Sequence, residues 1–406
     1  MRKLIQFNPV AGFGSTGRIA EQIGDFAIEN GWDSYIVYSG RPKAKSSSKL
    51  IEVGSKWDVI SHAIETRLFD RHGLGSKNST LKLTDLLEQL KPDVLHFHNI
   101  HGYYVNYEVL GAYINKSKIP VVWTFHDFWP MTGHCSYFSD VNCEKWKEEC
   151  FDCPKTAFYP KSYLDNSKFN FNKKKKTFTS IENLTIVPVS KWAGTLVEQS
   201  FFKSTDIEVI YNGIDLEIFY PKKSASILKE KLGLTGQFVI IALATTWGKR
   251  KGWFDYIKLV ELLPSDITLL LVGVNKEQEK ELPSAIKFMQ KTNDINQLAE
   301  LYTLADIVMN LSYQETFGLT TVEGFACGTP SIVYNKTASP ELMNEHVGEI
   351  VEPGDLNDVL NAILKIKDKG KDSFQDKCLN HVREKFNAKD RYKDYLELYE
   401  RKTATK

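Results

Sequence analysis

Apolar residues in this chain fall into short continuous runs, separated by longer stretches in which they recur every three or four positions. Runs of four to six residues rich in Val, Ile and Leu suit strands buried on both faces of a parallel sheet, and the spaced positions suit helices covering those faces. The pattern predicts strands at Leu4–Asn8, Tyr35–Tyr38, Asp93–Phe97, Pro120–Phe125, Leu184–Val189 and Ile207–Tyr211. Between them it predicts helices from the glycines after Asn8 to about Asn30, over Trp57–Leu68, Leu81–Leu90 and Tyr104–Asn115, and from Trp192 to Ser200. Residues 41–49 read as a basic, Ser-rich loop. The grammar then repeats, with strands Phe238–Ala244, Thr268–Val272, Ile286–Met289, Ile307–Leu311 and Ser331–Tyr334. Its helices are Trp253–Leu263, Ile295–Leu304, one starting near Thr320, Leu356–Lys367, Phe374–Lys385 and Arg391–Arg401. Strand alternating with helix, twice over, predicts an α/β chain of two domains, each a parallel sheet covered on both faces.

Length agrees, since 406 residues exceed one ordinary core. The linker is expected near Phe219–Lys223, which gives domains 1–218 and 219–387. A hydrophobic content of 42% lets both domains bury a core without disulfides. The formal charge of +1 excludes a nucleic-acid binder that relies on a strong positive field. No apolar run has signal-peptide or membrane-span length, so a cytoplasmic location is expected.

The stretch Asp306–Gly328 carries the sharpest chemistry. Strand Ile307–Leu311 breaks into a polar turn, Ser312–Gly318, and restarts as a helix near Thr320. The first N–H groups of a helix have no partner inside it and, with the macrodipole, favour an anion such as phosphate. Gly318 lets backbone approach such a ligand. Glu315 and Glu323 flank the same place, and two carboxylates there suit neutral hydroxyls, whose protons they accept. A sugar nucleotide has both parts.

Glu315-x-Phe317-Gly318-x-x-x-x-Glu323, followed by Gly328-Thr329-Pro330, resembles the E-x7-E signature of retaining GT-B glycosyltransferases, family 4 in particular. The resemblance covers nearly the whole chain. It implies two Rossmann-like domains facing an inter-domain cleft, with the turn Asn212–Asp215 ending the first domain and a C-terminal helix, about 388–402, packing back on it. It also implies that Glu315 contacts the donor sugar, Glu323 the ribose, and the backbone of Phe317, Gly318, Leu319 and Thr320 the diphosphate. The N-terminal loop Gly14-Ser15-Thr16 lies across from the donor, and His126, at the end of a parallel strand, lies beside its sugar. In Thr245–Gly252, Lys251 matches the family's lysine, while the position of its Arg holds Thr246, so Arg250 or Lys249 stands in. Three cations after a strand can neutralise a departing diphosphate. The nucleobase is expected near Thr292–Asn293. The implied activity is transfer of a sugar, with retention and no metal requirement, from a nucleoside-diphosphate sugar to a glycan or lipid-linked acceptor in polysaccharide synthesis. No carboxylate base is then needed, and Asp127 has no necessary role.

Two other functions stay open at this point. Gly12, Gly14 and Gly17 spell G-x-G-x-x-G, and Arg41 after the second strand leaves room for an NADP-dependent oxidoreductase. A sugar-nucleotide-binding module with a degenerate site is the non-enzyme reading, kept open by Thr246. His96, His98 and His101 invite a metal, but no carboxylate of ligand spacing completes a site, which favours cleft-lining or core histidines. Cys135, Cys143, Cys150 and Cys153 fall within nineteen residues, and structural zinc, free thiols and disulfides are all open readings, with His134 as a substitute ligand. The run Lys173–Lys176, bracketed by Phe169, Phe171 and Phe178, is either a solvated face or a docking site for anionic lipid at the inner face of the cell membrane.

Overall fold

A computed structural model of the protein describes residues 1–40 and 46–404, so Arg41 lies outside the described residues. The chain divides into two compact units, Met1–Tyr211 with Arg391–Lys406, and Asn212–Asp390. The first holds β1 (Lys3–Phe7), β2 (Asp33–Tyr38), β3 (Lys49–Glu52), β4 (Val94–Phe97), β5 (Val121–Phe125), β6 (Leu184–Pro188) and β7 (Asp206–Ile207). They pair in parallel in the order β3-β2-β1-β4-β5-β6-β7, with Ile5 opposite both Tyr35 and Leu95. Ile5, Phe7, Leu95, Phe97, Trp123 and Phe125 belong to one apolar core. The helix Ala388–Ala404 brings Tyr395 and Tyr399 to the sheet, where their hydroxyls meet Thr124 Oγ1 at 2.9 Å and His96 Nδ1 at 2.6 Å.

The second unit holds β8 (Phe238–Leu243), β9 (Ile267–Val272), β10 (Lys287–Met289), β11 (Ile307–Asn310), β12 (Ser331–Tyr334) and β13 (Gly348–Val351), also parallel, in the order β10-β9-β8-β11-β12-β13. Each sheet reverses its winding once, between β1 and β4 and between β8 and β11. Connections leave such a point toward opposite faces, which opens a crevice at the carboxyl ends of the two strands.

Several elements differ from expectation. β3 and β13 are edge strands of four residues, with polar residues among their positions, so they lack the apolar run that marks a central strand. The short helix Ala225–Lys231 also went unpredicted. The helix expected from Tyr104 starts at Tyr107, because the Asn106 side chain accepts from the N–H groups of Glu108 and Val109 and caps it. Gly14, Ser15 and Thr16 are the opening turn of the helix Gly14–Glu29 rather than a loop.

The basic run folds as the helix Ser167–Phe178, and its lysines do not form one face. Phe171 and Phe178 are in the core. Lys174 is buried, donates to the carbonyls of Trp129 at 2.7 Å and Thr132 at 3.0 Å, and lies 3.5 Å from the Trp129 ring centre. Burial pulls its pKa down to about 7. Lys173 pairs with Glu108 at 2.9 Å. Of the expected lipid-docking cluster, Phe171, Phe178 and Lys174 therefore face inward, while Phe169, Lys175 and Lys176 are exposed. No helix among the described residues is long and apolar enough to cross a membrane.

In the second unit Tyr256, on the helix Trp253–Leu259, ties down the end of β11. Its buried hydroxyl donates to Met309 O at 2.9 Å and accepts from Leu311 N at 3.0 Å. Tyr256→Phe leaves both backbone groups without that partner and is expected to destabilise the second unit by about 1–3 kcal/mol, measurable by chemical denaturation.

Candidate functional site

The crevice between β8 and β11 is built by two loops, Ala244–Gly252 and Leu311–Gly318. They meet backbone to backbone. Gly252 has φ +73°, and a Cβ there would lie 2.2 Å from Leu311 O, so only glycine fits. Next to this contact Tyr313 N donates to Arg250 O at 2.8 Å, and Arg250 Nη1 donates to Gln314 O at 3.0 Å. Lys251 Nζ forms an ion pair with Glu315 Oε1, and Glu315 N donates to Thr337 Oγ1 at 3.0 Å.

The pair is largely sequestered, with side-chain exposures of 18% for Lys251 and 11% for Glu315. Burial raises the Glu315 carboxyl, but Lys251 and Arg250 beside it outweigh that and hold it below the usual carboxylate range. Burial likewise pulls Lys251 down, partly offset by Glu315. The crevice thus carries a buried charge pair plus a second cation, at the mouth of a helix.

That helix is Leu319–Ala326, and Gly318 precedes it with φ +108°. Phe317 is buried and packs edge-on against Phe386, ring centres 5.8 Å apart, so its side chain anchors the loop. Leu319 and Thr320 open the helix. Glu323, 5% exposed, accepts from the Tyr302 hydroxyl at 2.7 Å through Oε2, which fixes its carboxylate plane. Lys249 is exposed, at the start of the turn. Thr292 is half-buried on the segment after β10, two strands out from β8. Lys251, Arg250, Glu315 and Gly318 are therefore brought together, whereas Thr292 stands apart from them. Tyr302, Tyr256, Gln314 and Thr337 support the site but carried no spacing signal, because each reads as an ordinary core or loop residue.

In the first unit, His126 and Asp127 follow β5. His126 is buried, and burial takes its pKa down to about 4. Its Nε2 lies 3.0 Å from His98 Nδ1. Asp127 bonds His101 Nε2 at 3.0 Å and accepts from Trp129 N at 2.9 Å. Burial raises its carboxyl, but His101 more than reverses this and keeps it below the usual range. Asp127 thus orders the loop after β5. Gly14, Ser15 and Thr16 sit on the loop-to-helix junction after β1.

The zinc expectation is not supported. Cys135, Cys143, Cys150 and Cys153 do line one small cavity, with His134 and Trp146. Among the described residues, however, no group of three or more His, Cys, Asp or Glu could hold a metal ion, and all four cysteines are free thiols. Three of the four sulfurs are engaged in hydrogen bonds. Cys135 and Cys153 hydrogen-bond each other, which holds Cys153 down at about 7, and Gly133 N donates to Cys150 Sγ at 3.2 Å. Burial pushes the Cys150 thiol up to about 12. His134 Nδ1 bonds Asp70 Oδ1 at 2.5 Å.

Lys251→Met removes the partner of a buried carboxylate and is expected to destabilise the protein by about 3 kcal/mol at neutral pH. The sign with pH follows from the direction of the Glu315 shift. With its folded pKa below its unfolded one, the parent gains full stability above about pH 4.3 and loses it as pH falls through the folded value. In the variant, burial is opposed only by Arg250 and the Ser312 hydrogen bond, so the Glu315 pKa lies above that of the parent and the deficit shrinks as pH falls and the carboxyl protonates. Thermal melts of parent and variant at about pH 5 and 7.5 check this.

Comparison with known proteins agrees with the geometry. The family description Glycosyltransferase Family 4 matches residues 16–218, and Glycosyl transferases group 1 matches residues 225–384. A glycosyl transferase of Escherichia coli K12 named for colanic acid biosynthesis, WcaC, is 28% identical over 227 residues, 52% of this chain and 55% of that protein. The Escherichia coli UDP-Gal:alpha-D-GlcNAc-diphosphoundecaprenol alpha-1,3-galactosyltransferase is 27% identical over 221 residues, 50% of this chain and 56% of that one. The matched region spans about half the length of these relatives. Sucrose-phosphate synthase from Thermosynechococcus elongatus superimposes with a TM-score of 0.72 at 17% identity, covering 100% of both chains, and this likeness shows the GT-B fold. The dinucleotide-oxidoreductase reading gives way here, because both matches are to glycosyltransferase families and the second runs through the Glu315–Glu323 loop. With its first unit matched from Thr16 onward and its second through both glutamates, the chain belongs to glycosyltransferase family 4.

Proposed function

We propose that the protein transfers a sugar, with retention of anomeric configuration, from a nucleoside-diphosphate sugar to a glycan or lipid-linked acceptor during polysaccharide or glycoconjugate synthesis. The observation that carries this reading is the buried Lys251–Glu315 pair, with Arg250, at the mouth of the helix that begins after Gly318. An incoming diphosphate competes with Glu315 for the Lys251 charge. It places anionic oxygens against Lys251, Arg250, Lys249 and the N–H groups of Gly318, Leu319 and Thr320, and it frees Glu315 to accept from sugar hydroxyls. Glu323, held by Tyr302, accepts from the ribose diol, and Thr292 borders the base. His126 is assigned to a sugar hydroxyl, and Gly14, Ser15 and Thr16 are further candidates for donor binding.

In the reaction the bond from the anomeric carbon to the phosphate oxygen breaks and the bond to the acceptor oxygen forms on the same face. The acceptor proton passes to the departing phosphate oxygen. Cations fixed before the reaction stabilise the charge that grows on that oxygen, and this requires neither a carboxylate base nor a metal. The galactosyltransferase relative, by its name, uses a UDP sugar and a diphosphoundecaprenol acceptor, which supports a lipid-linked acceptor for this chain.

The first test is a thermal-shift screen with UDP-, GDP- and ADP-sugars, in which the true donor raises the melting temperature appreciably. Against that donor, Glu323→Ala is expected to weaken binding by about 1.5–3 kcal/mol by calorimetry, the loss of charge-assisted bonds to the ribose. NMR of the product, taken before anomeric equilibration, is expected to show the donor's own configuration. Inversion would overturn the mechanism, and binding without any transfer or hydrolysis would favour a binding module.

A further inference from the structure

We propose that Gln6 is a positioning residue that acts through His98 to set which ring nitrogen of His126 carries the proton, so that His126 meets a sugar hydroxyl as a hydrogen-bond acceptor at Nδ1. The inference rests on the reading of His126 given above.

The backbone carbonyl of Ala20 has only lone pairs, so the Gln6 atom 2.8 Å from it is the amide nitrogen. Gln6 Oε1 therefore faces the other way, 3.0 Å from His98 Nε2. A carbonyl oxygen only accepts, and His98 must carry a proton on Nε2. His98 is fully buried between His96 and His126, and burial holds it neutral, which leaves a lone pair on Nδ1. That lone pair points along a 3.0 Å contact to His126 Nε2, with the two rings 18° from parallel. Nε2 of His126 must then donate. Burial keeps His126 neutral as well, so its own lone pair lies on Nδ1.

The relay draws on four elements. Gln6 is in β1, Ala20 in the helix Gly14–Glu29, His98 follows β4 and His126 follows β5, around the switch point of the first sheet. Gln6 is 0% exposed between Ile5 and Phe7, where an apolar residue would satisfy packing alone. A buried amide in a central strand is unfavourable unless all its bonds are made, and its two bonds end on Ala20 and His98. Charged or titratable groups beside the relay include Asp127, paired with His101, and His96, bonded to Thr124 and Tyr399.

The test starts with the parent protein, without ligand. Long-range proton–nitrogen NMR of 15N-histidine protein, with the His126 signals identified by their loss in His126→Gln, is expected to show a protonated Nε2 and an unprotonated Nδ1 near neutral pH. The opposite pattern overturns the proposal. Gln6→Met keeps the volume and removes the acceptor, and a mixture of tautomers at His126 is expected. Gln6→Glu goes further. Its carboxylate draws a second proton onto His98, both His98 nitrogens donate, and the His126 proton moves to Nδ1. Should Gln6→Glu fail to fold, the parent spectrum and Gln6→Met still decide. Hydrolysis of UDP-glucose, UDP-galactose or GDP-mannose, whichever the thermal-shift screen selects, is expected to fall about tenfold in kcat/KM in both variants, with affinity for the free nucleoside diphosphate unchanged. His126→Ala separates the two ideas. If it leaves hydrolysis unchanged, the reading of His126 fails and the proposal with it. If it lowers hydrolysis while Gln6→Met does not, the relay alone is overturned.

Discussion

The second unit depends on the approach of the Gly252 backbone to the carbonyl of Leu311. A side chain at position 252 would enter that oxygen's van der Waals shell, so glycine lets the loops after β8 and β11 lie against each other. Once they do, the residues on either side have little freedom. Lys251 falls opposite Glu315, Arg250 exchanges hydrogen bonds with Tyr313 and Gln314, and Tyr256 pins the backbone on both sides of Asn310. Burying such a charge pair gives little net stability, since desolvation offsets most of the attraction. Its value lies in holding a cation oriented and dehydrated before any ligand arrives. That condition makes a positive charge effective against one that develops during a reaction.

The first unit handles buried polarity differently. Around its switch point the polar groups are neutral and joined in chains: Gln6, His98 and His126 in one, and His96, Thr124, Tyr395 and Tyr399 in another. Each added imidazolium would be desolvated beside other imidazoles, so burial keeps these rings uncharged. Neutral chains transmit direction rather than charge. A donor at one end dictates an acceptor at the other, and the tyrosines of the C-terminal helix join the same logic. Two carboxyl–imidazole pairs, Asp127 with His101 and Asp70 with His134, hold the segment that follows β5. In that segment Cys135, Cys150 and Lys174 are buried, with Cys150 accepting from Gly133 N and Lys174 donating to two carbonyls.

The amino-acid sequence by itself determined the alternation of strand and helix in both units, the central strands, and the loop Glu315–Glu323 with its neighbour Lys251-Gly252. These are local patterns: burial on both faces writes a continuous apolar run into a central strand, and glutamates at fixed spacing around a glycine turn follow from one strand–helix junction. Tertiary structure alone decided which side chains meet across long separations. Edge strands β3 and β13 exist because a neighbouring strand offers hydrogen bonds, and their own residues show little of it. Lys174 reads as one of four surface lysines until the carbonyls of Trp129 and Thr132 enclose it, 45 and 42 residues away in the chain. The cysteines look like metal ligands by spacing, yet a metal needs their sulfurs to converge on one point, a condition set by side-chain direction. Tyr302 reaches Glu323 over 21 residues, Lys251 reaches Glu315 over 64, and Gln6 reaches His98 over 92. Spacing records what one element places on its own faces, but a hydrogen bond between elements depends on their packing, and no periodicity in either element encodes it.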